Sequence, residues 1–258
     1  MKRIRMKQLG IKFCALVGIL VVGTSCASKK ELVYFQEQEQ QQLLDTILIV
    51  EPTLQIGDFV TIQVSSIDPV GAATFNLFES SAIVNSYPKP LNYLVKSDGM
   101  IAFPVLGNLQ VQGLTTNELT NNITIALTEY LKKPIVNVRI TNFKVTVLGE
   151  VIRPGTYQVP NERITIVEAL GMAGDLNIQA KRNNVLLIRE EQGQRKFITI
   201  DLTNKKLFNS PYYYLAQNDV VYVEPNKTKI NSSAVGSNAG IIISSISTLI
   251  SLIAIFTR

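Results

Sequence analysis

The chain has 258 residues, of which 46% are hydrophobic, and it carries two cysteines, no histidine and a formal net charge of +5. The absence of histidine excludes histidine-based catalysis and histidine metal ligation. Five of the 25 basic residues precede Cys26 and no acidic residue does, which leaves 20 basic residues against 20 acidic ones in the rest of the chain. That balance gives no support for nucleic-acid binding, which needs a basic surface on the folded domain.

The first 26 residues predict a lipoprotein signal. A basic stretch is followed by an apolar stretch at 13–22 and by small residues at 23–25, directly before Cys26. This order is typical of a signal peptide. We expect residues 1–25 to be removed and Cys26 to carry lipid, although Gly23 stands where leucine is usual. An ordinary secretory signal, cleaved nearby, is the alternative.

Residues 26–51 predict a lipid-anchored tether. They are rich in Gln and Glu and contain no glycine, a composition that favours an extended or transiently helical linker over a packed core. A coiled segment is the alternative, although no heptad repeat is sustained.

A first module is predicted over residues 52–140. A tight turn at Gly57-Asp58 leads into its first strand, and Asp98-Gly99 is a hairpin signal between two later ones. The strands are expected at 59–64, 93–96, 100–105 and 135–140.

A second module is predicted over residues 141–226. Val145 and Val147 alternate with polar residues, as in a half-buried strand. Pro154-Gly155 then predicts a type II turn, in which glycine takes the positive φ. Further strands are expected at 155–159, 185–190, 196–200 and 220–223.

Two capping boxes predict helices, one in each module. Thr115 precedes Glu118, and Thr165 precedes Glu168, with the three-residue spacing at which the two side chains can each bond the other's backbone amide. Gly174 is expected to end the second helix. All four residues, like the turn carboxylates Asp58 and Asp98, are therefore explained as structural.

Tyr212, Tyr213 and Tyr214 form an aromatic cluster. Tyrosine rings present flat apolar faces with a polar tip, so a sugar-stacking surface is one interpretation. Packing at a strand edge is the other, and we favour it.

Residues 237–256 predict a C-terminal transmembrane helix after a linker at 227–236. Twenty uncharged residues span about 30 Å as a helix. At 100° per residue, five hydroxyl residues share one stripe, which predicts pore lining by Ser237, Ser244, Ser247, Thr248 and Ser251. Close helix packing, or hydrogen bonding back to the same helix, is the alternative.

The order of these motifs resembles that of Wza-like outer-membrane polysaccharide export proteins. V-x-V-x-G-x-V-x-x-P-G-x-Y at 145–157, followed by T-x-x-E-A-L-x-x-A-G at 165–174, is similar to an SLBB (soluble-ligand-binding β-grasp) domain. L-x-x-G-D at 54–58, D-G-x-I-x-x-P-x-L-G at 98–107 and G-L-T-x-x-E at 113–118 are similar to the polysaccharide export domain. The resemblance covers roughly residues 52–225. It implies an α+β fold of two small β-rich modules followed by the helix.

The resemblance also implies how such a chain works. Family members form rings, of about eight subunits, that carry capsular or exopolysaccharide across the periplasm and outer membrane without bond chemistry. Longer members have more than one SLBB unit, so a chain with a single unit is expected to need an inner-membrane polysaccharide copolymerase as partner. No cofactor or metal is expected, and no enzymatic activity. A monomeric, lipid-anchored module that binds glycan or peptidoglycan is the alternative, and a carboxylate-based hydrolase is a distant third.

Overall fold

The computed structural model describes residues 32–36, 51–79, 88–191, 193–235 and 239–256. They form two β-rich modules with short helices packed on them, followed by two helices towards the C-terminus. The predicted α+β class is confirmed.

The first module is built on three antiparallel strands in the order β2-β1-β5, together with a separate hairpin of β3 and β4. Its elements are β1 Phe59–Ser65, α1 Pro69–Ala73, β2 Asn92–Leu94, β3 Met100–Phe103, β4 Gly107–Gln110, α2 Thr116–Leu127 and β5 Ile135–Ile140. Val60, Ile62 and Val64 of β1 are buried, and the residues between them face outwards because side chains alternate along a pleated strand. Helix α2 packs against β5 and buries Leu119, Ile123 and Leu127.

The predicted hairpin around Asp98-Gly99 is wrong in its pairing. The turn forms, with Gly99 at φ +75° and the Lys96 amide donating to the Met100 carbonyl at 3.0 Å. However, β2 pairs with β1, whereas β3 pairs with β4. The three-residue connection between β3 and β4 places Val105 at φ +65°. A β-branched residue is an unusual choice for that conformation, so the sequence carried no turn signal there.

The second module is a five-stranded mixed sheet in the order β10-β9-β12-β6-β7. Its elements are β6 Lys144–Gly149, β7 Gly155–Gln158, β8 Ile164–Thr165, α3 Ile166–Met172, β9 Ala180–Glu191, β10 Gln194–Ile200, a 3₁₀ turn at Lys205–Asn209, β11 Tyr214–Leu215 and β12 Val220–Pro225. Strand β12 runs parallel to β6, and the other neighbours in this sheet are antiparallel. The short strands β8 and β11 form a separate pair.

Gly149, rather than Gly155, carries the strained turn of this module. Gly149 has φ +92°, and a Cβ added there would lie 2.0 Å from the Val223 carbonyl oxygen, so only glycine fits. Gly155 has no positive φ and is the first residue of β7, paired with Val147. The predicted type II turn is therefore wrong. The chain between β6 and β7 instead packs against the end of α3, where Arg153 donates its amide to Ala173 at 2.8 Å.

Part of the predicted tether is docked on the second module. The Phe35 amide donates to the Leu202 carbonyl at 3.1 Å. The Phe35 ring lies 5.0 Å from the Phe208 ring, and the Tyr34 hydroxyl donates to Asp175 at 2.5 Å. Residues 32–36 are thus fixed by apolar contact that a Gln- and Glu-rich composition did not indicate.

The C-terminal region contains helices α4 Lys227–Val235 and α5 Ala239–Phe256. A helix in this segment was predicted and is confirmed from Ala239 onwards. Among the helices of the described residues, none is long and apolar enough to span a membrane. The transmembrane assignment of 237–256 therefore has no support from the structure.

Candidate binding groove and module joint

A groove crosses the outward face of the first module's sheet. Its volume is about 570 Å³, and its floor consists of the outward-facing residues of β1 and β5. Arg139 lies opposite Thr61, and Asn137 lies opposite Gln63, because β1 and β5 are paired in that register. The strand pairing thus gathers hydroxyl, amide and guanidinium groups on one surface.

The walls of the groove come from the segment after α1 and from the start of β5. Phe78 is 50% exposed, and Ile135 is 67% exposed. Phe78 is held in place by a bridge to Pro90. The groove therefore combines a polar floor with apolar patches on its walls.

The joint between the modules is a hydrogen-bonded network centred on Asn142. Its side chain accepts from the Phe59 amide at 2.9 Å and donates to the Gly57 carbonyl at 3.1 Å. Its carbonyl accepts from the Gln217 side chain at 2.8 Å, and Gln217 in turn accepts from the Lys144 amide at 2.8 Å. One residue thus ties the turn before β1 to the turn before β12.

Those two turns have the same design. Asp58 and Asp219 are fully buried, and each accepts at 2.8 Å from the backbone amide three residues earlier. The residue before each takes a positive φ, +90° at Gly57 and +65° at Asn218. Asp219 also pairs with Arg189 at 2.7 Å.

Burial raises the pKa of Asp58, against the opposing effect of the Gln55 amide and the Gln217 side chain. Burial also raises the pKa of Asp219, although Arg189 favours its charged form. In both cases the loss of hydration outweighs the hydrogen bonds and the charge partner. A buried carboxylate in each turn is consistent with the structural role predicted for Asp58.

Glu162 forms a second bridge across the joint. One carboxylate oxygen accepts from the Ile140 amide at 3.1 Å, and the other accepts from the Thr116 hydroxyl at 2.9 Å. A loop of the second module therefore bonds both β5 and α2 of the first. No local pattern indicated this role for Glu162, because its partners are 22 and 46 positions away.

The two predicted capping boxes are present. Thr165 accepts from the Glu168 amide at 3.1 Å, and the Glu168 carboxylate accepts from the Thr165 amide at 2.7 Å. Thr115 and Glu118 repeat this arrangement at the start of α2. Gly174 follows the second helix with φ +81°, as expected of a helix stop.

The remaining structural residues lie at turns. Pro154 is exposed before β7, and Asp98 accepts from the Met100 amide at 3.0 Å. Ile152 and Arg153, which follow Gly149, bond the backbone on either side of Gly174. None of these residues lines the groove.

The tyrosine cluster packs within the second module. Tyr214 belongs to β11, opposite Thr165. The Tyr213 ring meets Phe208 and Tyr214 edge to face, with centroids 5.3 and 5.2 Å away. The arrangement favours strand-edge packing over a sugar-stacking platform.

The hydroxyl residues of α5 are exposed, but they are also bonded. Thr248 donates to the Ser244 carbonyl at 2.8 Å, and Ser251 donates to the Ser247 carbonyl at 2.9 Å. Ser244 likewise donates to Ile241 at 2.9 Å. These bonds match the alternative in which hydroxyls bond back to their own helix. Cys26 and Ser237 lie outside the described residues.

The residues that line the groove were not predicted as a site from the sequence. Thr61 and Gln63 in one strand, and Asn137 and Arg139 in another, were visible as polar positions alternating with buried ones. No local sequence pattern indicated that the two strands pair, since Gln63 and its partner Asn137 are more than 70 positions apart along the chain. Within the described residues, no group of acidic or cysteine side chains could hold a metal ion.

Two family models match the chain. A model described as polysaccharide biosynthesis/export protein matches residues 50–141, and a model of the SLBB domain matches residues 144–199. The boundary between the matches coincides with the Asn142 joint.

Curated relatives carry matching descriptions. The EPS I polysaccharide export outer membrane protein EpsA of Ralstonia solanacearum is 31% identical over 144 residues, covering 54% of this chain and 38% of that protein. Its counterpart in Ralstonia nicotianae is 35% identical over 100 residues, covering 38% of this chain and 26% of that protein. The capsule polysaccharide export outer membrane protein CtrA of Neisseria meningitidis serogroup A is 23% identical over 225 residues, covering 69% and 57%. The chain thus matches between 26% and 57% of the length of these relatives.

Proposed function

The chain belongs to the Wza-like family of polysaccharide export proteins, and on that premise we propose that it is a lipid-anchored, oligomeric export channel of the outer membrane. Its cargo is a capsular or extracellular polysaccharide. The observation that carries the proposal is the order of the two matched domains, 50–141 and then 144–199, over two folded modules with a bonded joint between them. We also propose that the chain divides at residue 140, and the same order supports that division.

The proposed mechanism is passive. The described residues supply hydroxyl and amide groups, while the buried carboxylates Asp58 and Asp219 are occupied in turns. Transport of a hydrated polymer needs a polar path whose groups exchange hydrogen bonds easily with sugar hydroxyls. We therefore propose that the protein encloses the polymer and does no bond chemistry.

Assembly is proposed to place α5 at the conduit. Every side chain of α5 whose exposure the structure describes is exposed in the single chain, including the apolar Leu249 and Leu252. Such a helix gains stability from neighbouring copies. Ser244, Ser247, Thr248 and Ser251 would then face the polymer, since a hydroxyl that donates to its own helix still accepts from water or sugar.

Two attachments complete the proposal. Lipid on Cys26 would hold the chain in the outer membrane, supported by the signal-like order of residues 1–25. An inner-membrane polysaccharide copolymerase would deliver the polymer, supported by the single SLBB match.

A monomeric, lipid-anchored glycan-binding module is the second candidate, and the groove on β1 and β5 favours it. The mass of the full-length protein extracted in mild detergent separates the two. We expect a discrete multiple of the chain's mass, and the same multiple after dilution. A single chain mass in several detergents would overturn the channel and leave the binding module.

A further inference from the structure

We propose that the groove on the first module binds an acidic segment of the polymer, and that Arg139 pairs with a sugar carboxylate there. This inference rests on the proposed export function and specifies the class of its cargo.

The groove contains free hydrogen-bonding groups. In the parts of the chain that the structure describes, the side chains of Gln63, Asn137 and Arg139 have no hydrogen-bond partner, although strand pairing places Gln63 opposite Asn137. Two other polar side chains of the groove are occupied: Thr61 donates to Asn92 at 2.5 Å, and Asn76 bonds the backbone of Val64. The free groups therefore lie side by side on two adjacent strands.

Arg139 is the one charged residue among the described residues that line the groove. The nearby carboxylate of Glu162 is already bonded to the Ile140 amide and the Thr116 hydroxyl. A guanidinium presents a planar fork that matches a carboxylate, and such charge-assisted bonds are stronger than neutral ones.

The shape of the groove also suits a sugar. Sugars present hydroxyls at their edges and apolar C–H faces, and the groove offers amides beside the exposed ring of Phe78. Its volume of about 570 Å³ lies within the range of small-ligand sites, roughly 300–1,000 Å³. An acidic glycan segment thus matches the groove in charge, hydrogen bonding and size.

The test uses the full-length protein in detergent and two probes that differ in charge. One is a short oligogalacturonate, and the other is the same oligomer with every carboxylate methyl-esterified, which removes the charge and adds one methyl group per sugar. Titration calorimetry should detect binding of the first and little binding of the second. Arg139→Gln should weaken binding of the charged probe roughly tenfold or more, because a charge-assisted bond is lost. Arg195→Gln, which removes an exposed arginine of the second module, should leave it unchanged.

If Arg139→Gln fails to fold, Asn137→Ala provides a second test. Its affinity for the charged probe should fall roughly fivefold, because one neutral hydrogen bond is lost. Equal binding of both probes, or undiminished binding by these variants, would overturn the inference. So would a change in assembly mass on Arg139→Gln with glycan binding intact, since the groove would then be a subunit contact. Export of polymer by cells carrying the wild-type chain is scored separately. Its absence would defeat the export function, and a charge-selective groove would remain.

Discussion

At the scale of the residue, the recurring device is a carboxylate whose bonds are local. Asp58 and Asp219 bond the backbone three residues back, and Glu118 and Glu168 bond the amides of their caps. A spacing of three residues can be recognised in the sequence, so the helix caps and the Gly57-Asp58 turn were predictable. The burial of the Asp58 carboxylate cannot be recognised in this way. Asn142 bonds the two neighbours of Asp58, and Gln217 bonds Asp58 itself, and both residues lie more than 80 positions away along the chain.

The buried carboxyl of Asp58 makes stability depend on pH. Its pKa in the folded protein is raised above the ordinary 3.8, so the folded state holds the proton more tightly than the unfolded state does. Unfolding free energy should therefore fall as pH rises from about 3.8 through the raised pKa. Asp58→Asn cannot ionise, yet it keeps an oxygen that can accept from the Gln55 amide.

The stability of Asp58→Asn relative to wild type should consequently increase with pH across this window, as measured by urea unfolding at a series of pH values. Asp219 contributes equally to the pH dependence of both proteins, so its effect cancels in the difference between them. Asp98→Asn, at an exposed turn, serves as the control. A difference between Asp58→Asn and wild type that is flat with pH would contradict the role assigned to burial.

The capping box of α3 gives a second test at this scale. Thr165→Ala removes the acceptor for the Glu168 amide and should lower the free energy of unfolding by about 1 kcal/mol. Glu168→Gln retains an oxygen for the Thr165 amide and should cost much less. Denaturant titration measures both. Loss of polymer export from a stable, fully assembled Glu168→Gln protein would reopen a catalytic role for that carboxylate.

At the scale of the element, the strands and helices follow from local patterns, but their partners do not. The predicted strand at 135–140 matches β5, and alternation of buried Val136, Val138 and Ile140 explains why. The pairing of β3 with β4 was missed because Val105 gives no turn signal, and the parallel pairing of β12 with β6 was missed because it joins strands more than 70 positions apart. The groove was missed for the same reason, since it exists only where β1 meets β5.

Gly149 tests how much one close approach contributes to the mixed sheet. Gly149→Ala combines a positive φ with a Cβ 2.0 Å from the Val223 carbonyl oxygen, so β6 and β12 must separate. We expect a loss of roughly 3 kcal/mol or more in unfolding free energy. Gly107→Ala has a similar φ, +76°, with open space around it, and should cost only about 1–2 kcal/mol. Similar losses for the two variants would show that backbone strain, rather than the clash, sets the cost.

At the scale of the whole molecule, the two modules are joined by side chains rather than by a bare linker. Asn142 and Glu162 bond both modules, and residues 32–36 dock on the second one. A fixed joint would let copies of the chain repeat the same contacts around the proposed ring. The sequence predicted two modules and the tail helix. It could not predict the joint, which consists of single long-range hydrogen bonds.

Lipid on Cys26 is predicted to attach the protein to the outer membrane. The intact mass of the mature protein should correspond to a chain that begins at Cys26 and carries added acyl groups. Cys26→Ala should lack that mass and should be lost from the outer-membrane fraction. Cys14→Ala, within the segment to be removed, is the matched control and should behave as wild type. An unmodified Cys26, or cleavage well beyond it, would defeat the prediction.

The most direct test of export compares surface and envelope-trapped polysaccharide in cells that have the chain, lack it, or regain it from a plasmid. The account predicts that deletion removes polymer from the cell surface while polymer accumulates inside the envelope, and that the wild-type chain restores the surface. Surface polymer at the wild-type level after deletion, with none retained inside, would contradict it.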